Sequence, residues 1–225
     1  MTDRTRARWL AQESLAKGDP VGWFERLYAD AAEGRAVVPW ADRLPNPHVV
    51  EWLDRQALPP GRALDVGSGL GDGAEELARR GFEVVAFDVS ASAIAEARRR
   101  FPASRVDYRV ADVLRLPAEF DGNFALVVEC YTLQVLPPAA RAEAVAALRR
   151  TLAPGGVLLV VARGRERHDP EGQMPWPLTR HEIEGVAEGD LQMTSFEDFL
   201  DHEDPPVRRF RAVFRMPSRD AGPRI

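Results

Sequence analysis

Four glycines at every second position, Gly67, Gly69, Gly71 and Gly73, follow the apolar residues Ala63, Leu64 and Val66 in "ALDVGSGLGDG". An apolar strand that feeds a glycine loop and then a helix lets backbone N–H groups come close to a nucleotide. The flanking residues narrow the ligand. A P-loop needs Gly-Lys-Ser/Thr after its glycines, and Asp72 stands there instead. A dinucleotide fingerprint needs a further glycine three positions after Gly69, which is again Asp72. Asp65 and Asp72 bracket the loop, and two carboxylates repel a pyrophosphate. They suit a ligand that carries an ammonium group and no phosphate.

S-adenosylmethionine has that chemistry: an ammonium, two ribose hydroxyls, a neutral adenine and a cationic sulfur. Asp88 stands 23 residues after Asp65, and an acid about 20 residues on is the usual acceptor for ribose hydroxyls. Asp112, in "VADVLRLP", is placed to accept the adenine amino group while Val113 packs on the ring. The sequence resembles the class I S-adenosylmethionine-dependent methyltransferases. The likeness rests on "LDVGSGLG" (64–71), "VVAFDVSASAIAEAR" (84–98), "VADVLRLP" (110–117), "FALVVECYTLQVLPP" (124–138) and "LAPGGVLLVV" (152–161), in that order. It implies a cofactor site made by Asp65, Gly67, Ser68, Gly69, Gly71, Asp88, Val89, Asp112, Val113, Glu129 and Cys130. The stretch "PWADRLPNPHVVEWL" (39–53) is similar to the thiopurine and tellurite-resistance-type branch, which methylates sulfur or chalcogen acceptors.

Methyl transfer from a sulfonium is an in-line displacement whose leaving group needs no proton. Alignment of the reactants can supply about 7–11 kcal/mol of such a barrier. The sulfur loses charge on the way to the transition state, so a carboxylate against it would favour the ground state. Glu129 is therefore expected to stay off the sulfur, and backbone carbonyls near Cys130 and Tyr131 to line it. An Asn/Asp-Pro-Pro-aromatic signature, common where nucleic-acid or protein nitrogens are methylated, is replaced here by "ECYTLQ" (129–134). The expected acceptor is a sulfur, oxygen or nitrogen of a small metabolite, walled by Trp40, Tyr131 and Trp176. His168, with Tyr131, is the candidate catalytic group, the histidine serving as base for an acceptor that ionises poorly. No clustered carboxylates or histidine spacing call for a metal. Two other classes stay open: a non-catalytic S-adenosylmethionine-binding regulatory protein, and a nicotinamide-dependent oxidoreductase.

Elements that alternate from residue 63 onward must position these groups. Strands are expected at 63–66, 83–87, 106–110, 124–129 and 157–162, with helices at 72–80, 92–100 and 139–152 between them. That alternation implies a parallel sheet with right-handed crossovers. Thr179 and Glu182 form a capping box for a short helix. The alternating runs 193–200 and 207–216 then predict an antiparallel hairpin at one edge. Upstream, helices are expected at 4–17, from Asp19-Pro20 to Gly34, and at 48–57. The whole is an α/β, Rossmann-like doubly wound, mostly parallel sheet with an N-terminal helical cap. Its expected divisions are a helical extension or lid (1–58), the cofactor-binding domain (59–216) and a tail (217–225).

Bulk properties agree with such a reading. The 225 residues are 45% hydrophobic and carry a net charge of −5, which argues against a nucleic-acid partner. A single cysteine, Cys130, excludes an internal disulfide framework. "MTDRTRARWLAQ" lacks the apolar core of a secretory leader, and no run is long enough to span a membrane. A cytoplasmic monomer or homodimer is expected.

Overall fold

The computed structural model describes residues 3–218. Its strands are β1 (Arg62–Val66), β2 (Glu83–Asp88), β3 (Asp107–Val110), β4 (Phe124–Cys130), β5 (Leu152–Arg165), β6 (Leu178–Thr179), β7 (Gln192–Leu200) and β8 (Arg208–Arg215). They form one sheet in the order β3-β2-β1-β4-β5-β8-β7, with β6 pairing β5 to the side. β2 with β3 and β4 with β5 are parallel, whereas β5 with β8 and β7 with β8 are antiparallel. The architecture is thus the Rossmann-like, mostly parallel sheet with an antiparallel edge that the alternation implied.

The described chain falls into two compact units: the segment up to Pro60 with Leu64–Leu116, and Gly61–Ala63 with the chain from Pro117 onward. In the first unit lie α1 (Asp3–Ala16), α2 (Gly22–Ala32), α3 (Pro47–Asp54), α4 (Asp72–Arg79) and α5 (Ala91–Arg100). Local chemistry sets their ends. The Asn46 side chain accepts from the His48 N–H, and Pro47 opens α3. Ser90 accepts from the Ala93 N–H at the start of α5. Asp19 accepts from the Val21 and Gly22 N–H groups, so α2 starts two residues later than the Asp-Pro signal suggested. α2 buries Trp23, Leu27 and Tyr28.

The second unit holds β4 to β8, α6 (Pro138–Thr151) and α7 (Arg180–Glu184). β5 begins at Leu152, five residues before the expected start, and runs through Pro154-Gly155-Gly156. Gly155 takes φ +76°, its N–H donates to Pro217, and Met216 donates to Gly156. These bonds carry the ladder through a stretch that reads as a helix stop. The capping box is present, with Thr179 and Glu182 bonded reciprocally. In β8 the expected inside–outside alternation gives way to near-complete burial, because Arg209 and Arg211 are buried against Asp201 and Glu197. A buried guanidinium is tolerable only when paired in this way. Of the expected tail, residues 219–225 lie outside the described residues, while Pro217 accepts the Gly155 bond.

Candidate functional site

The glycine loop leaves β1 at Gly67 and enters α4 at Asp72. Gly69 and Gly71 take φ +53° and +90°, a region that costs other residues about 1–2 kcal/mol. Space is also short. A Cβ on Gly69 would stand 2.9 Å from the Tyr28 hydroxyl, and one on Gly71 would collide with the Tyr108 hydroxyl. Tyr108 donates to Glu75 at 2.7 Å, which fixes it beneath the loop. The loop is narrow because two buried tyrosines flank it.

Asp65 and Asp88 are both buried beside this loop. Burial, with the Asp88 charge adding to it, pushes Asp65 up to about 7, against the opposing Ala74 N–H. Burial likewise raises Asp88 to about 6, although it accepts from the Gly69 and Ser90 N–H groups at 2.9 Å. Among the described residues neither acid has an ion-pair partner. Asp72 differs: Arg100 clasps it at 2.6 and 2.7 Å and also donates to the Leu70 carbonyl. The unneutralised acids of the loop are therefore Asp65 and Asp88, not the Asp65 and Asp72 pair that sequence order suggested. The buried Ser68 hydroxyl has no partner. Two unpaired acids, an orphaned hydroxyl and bare glycine backbone fit a cationic ribonucleoside. After β2, Val89 is half-buried. Asp112 accepts from the Leu114 N–H at 2.9 Å through one oxygen, and Val113 is buried beside it.

In the second unit, Glu129 near the carboxyl end of β4 is fully buried. One oxygen accepts from the Thr132 and Leu133 N–H groups at 2.7 and 2.8 Å, and the other has no partner. Burial pushes this carboxyl up to about 7, against those bonds and the nearby Arg141. Arg141 donates to the Leu133 and Leu136 carbonyls and to Glu182. Gln134 accepts from the Arg163 N–H, and its carbonyl accepts from the Trp176 N–H. Three buried polar side chains thus hold residues 131–136, a role that sequence reading missed for Arg141 and Gln134.

Within that frame Tyr131 takes φ +68°, a strained conformation for a non-glycine residue. Its ring lies 4.9 Å from the Arg209 guanidinium. Cys130 and Trp176 are half-buried. His168 is 83% exposed on the stretch after β5, with its imidazole 3.8 Å from Asp169. Trp40 belongs to the first unit, where it packs edge-on against Trp23, Phe24 and Tyr28 and donates to the Tyr28 hydroxyl at 3.1 Å. Among the described residues no group of three or more His, Cys, Asp or Glu is placed to hold a metal ion. Nor is any described helix long and apolar enough to cross a membrane.

Sequence reading also missed Glu25 of α2. Its carboxylate accepts from the Ser90 hydroxyl, the Ser92 hydroxyl and the Ser92 N–H at 2.7, 2.7 and 3.0 Å. Burial works against its ionisation, but those bonds outweigh burial and hold it below the usual carboxylate range. No local pattern marks it, since its partners stand more than 60 positions away.

Residues 63–156 match the family described as "Methyltransferase domain". The ubiquinone biosynthesis O-methyltransferase of Xanthomonas campestris pv. campestris (strain B100) is 40% identical over 114 residues, 49% of this chain and 46% of that protein. The chain spans about half the length of the curated relatives it matches. A solved structure described under conversion of a disulfide bond into a thioacetal group during echinomycin biosynthesis superposes with TM-score 0.72 and 22% identity, over 88% of this chain and 93% of that one. The 1,6-didemethyltoxoflavin-N1-methyltransferase of Burkholderia thailandensis, solved with bound 1,6-didemethyltoxoflavin and S-adenosylhomocysteine, gives TM-score 0.66 at 16% identity, over 97% of this chain and 92% of that one. At such identities the solved structures establish the shared fold.

Proposed function

Because the chain belongs, through residues 63–156, to the class I S-adenosylmethionine-dependent methyltransferases, we propose that it methylates a sulfur, oxygen or nitrogen of a small-molecule acceptor. The observation that carries this reading is the pair of buried acids without ion-pair partners, Asp65 and Asp88, around a glycine loop whose Ser68 hydroxyl lacks a partner. In this reading Asp65 holds the ammonium of the cofactor, Asp88 the ribose hydroxyls and Asp112 the adenine amino group. Gly67, Gly69 and Gly71 offer bare backbone, and Val89 and Val113 apolar contact.

S-adenosylmethionine, when bound, supplies an electrophilic methyl group on a cationic sulfur. The chain's own part is to orient the acceptor and keep water away, which can account for most of the acceleration. The buried turn after β4, braced by Glu129, Arg141 and Gln134, presents Tyr131 and Cys130 for that purpose. One Glu129 oxygen accepts from the Thr132 and Leu133 N–H groups, which supports the reading that the carboxylate serves the turn and not the sulfur. Tyr131 and Trp176 are the proposed aromatic walls for the acceptor. His168 is the proposed base where the acceptor is a hydroxyl, the atom named by the O-methyltransferase relatives.

A melting scan with S-adenosylhomocysteine tests the cofactor half: ligand at 100 times Kd should add about 2.7 kcal/mol. Turnover of a thiol, phenol and amine panel with tritiated methyl donor tests the other half and names the acceptor atom. Cofactor binding without any turnover would favour a non-catalytic binding protein. On a phenol acceptor, His168→Ala should cost about 10²-fold or more in kcat while sparing thiols.

A further inference from the structure

The family match begins at residue 63, yet a buried group from far upstream reaches the glycine loop. Tyr28 of α2 is 5% exposed, and its hydroxyl lies over Gly69. The Trp40 indole N–H donates to that hydroxyl at 3.1 Å. An indole nitrogen only donates, so the tyrosine oxygen is the acceptor in this bond and its proton is left for another partner. Among the described residues no acceptor takes it. Burial, with the Asp88 charge beside it, holds the phenol well above its usual range, so it stays a donor.

The loop's charges show what that donor would meet. Asp65 and Asp88 suit the ammonium and the ribose, but both repel the carboxylate at the same amino-acid end. A cationic partner for that carboxylate would pair with the acids instead. A neutral hydroxyl, polarised by a second donor behind it, meets an anion without disturbing them. Its position is held firmly. Glu25, one helical turn earlier, fastens α2 to Ser90 and Ser92, just after Asp88.

Resting on the cofactor reading above, we propose that the Tyr28 hydroxyl donates to the carboxylate at the amino-acid end of the cofactor, with Trp40 and Glu25 as positioning residues. The amino-terminal helices are then part of the cofactor site as well as a cover.

Titration calorimetry on the full chain tests this with two probes: S-adenosylhomocysteine, and 5′-methylthioadenosine, which has adenine and ribose but no amino-acid end. For Tyr28→Phe the Kd for S-adenosylhomocysteine should rise roughly ten- to hundredfold, the span of one hydrogen bond to a charged group. The Kd for 5′-methylthioadenosine should stay within about twofold. Trp40→Phe, which keeps the hydroxyl and removes its donor, should show a smaller rise of roughly threefold for the first probe alone. Unchanged S-adenosylhomocysteine binding in Tyr28→Phe overturns the proposal, as does an equal loss for both probes. A wild-type chain that binds neither probe overturns the cofactor reading itself, and this inference with it.

Discussion

Arg100, the last residue of α5, closes a two-pronged ion pair on Asp72, the first residue of α4, at 2.6 and 2.7 Å. Both side chains are largely shielded, at 13% and 16% exposure, so the pair is worth more than a surface bridge. Arg100→Met leaves a shielded carboxylate alone beside the glycine loop. It should lower unfolding stability by about 1–3 kcal/mol. Adding Asp72→Asn should restore part of that loss, and urea midpoints of the two variants check both statements.

Asp88 does two things at once: it holds the Gly69 and Ser90 N–H groups and, in the proposed reading, the ribose. Asp88→Asn loses the charge and keeps one acceptor oxygen, so its amide NH2 faces one of the two N–H groups that the two carboxylate oxygens hold. Its Kd for S-adenosylhomocysteine should rise about tenfold or more, and the apo protein should lose about 1–3 kcal/mol of stability. A variant with wild-type affinity would remove Asp88 from the ligand site.

Three buried acids set a pH dependence whose sign can be worked out. Asp65, Asp88 and Glu129 rise from 3.8, 3.8 and 4.5 to about 7, 6 and 7. Between those limits the folded chain holds more protons than the unfolded chain, so their contribution to stability is full near pH 4 and is lost as pH rises toward 7. Wild-type apo protein should therefore lose stability relative to Asp65→Asn across this window, as read by denaturation at pH 5, 6 and 7.5. An ammonium ligand needs Asp65 ionised, so S-adenosylhomocysteine should bind more tightly as pH climbs through the same range.

Glu129 accepts from the Thr132 and Leu133 backbone N–H groups through one oxygen. Glu129→Ala strands both and should cost about 1–3 kcal/mol. Glu129→Gln keeps an acceptor oxygen and should cost less, with methyl transfer retained if the carboxylate serves the turn. Paired unfolding curves and turnover measurements separate the two roles.

Much of the fold could be read directly from the sequence. Apolar runs at 63–66, 83–87 and 124–129 and the Thr179–Glu182 box each act within a few residues, and each stands where the pattern put it. What escaped depends on partners far along the chain. Nothing near Asp72 announces Arg100, and nothing near Glu25 announces Ser90 and Ser92. The passage of β5 through Pro154-Gly155-Gly156 likewise depends on Met216 and Pro217, more than fifty residues away. Charge reading of the loop was accordingly incomplete about Asp72, whose charge Arg100 neutralises.

The grip of Glu25 on Ser90 and Ser92 sets a rule for chimeras. A swap of the first sixty residues against those of a relative would exchange one half of a matched fitting. Recombining this chain with a relative therefore requires transplanting both serines along with the leading helices, or the hybrid inherits an acid with nothing to hold.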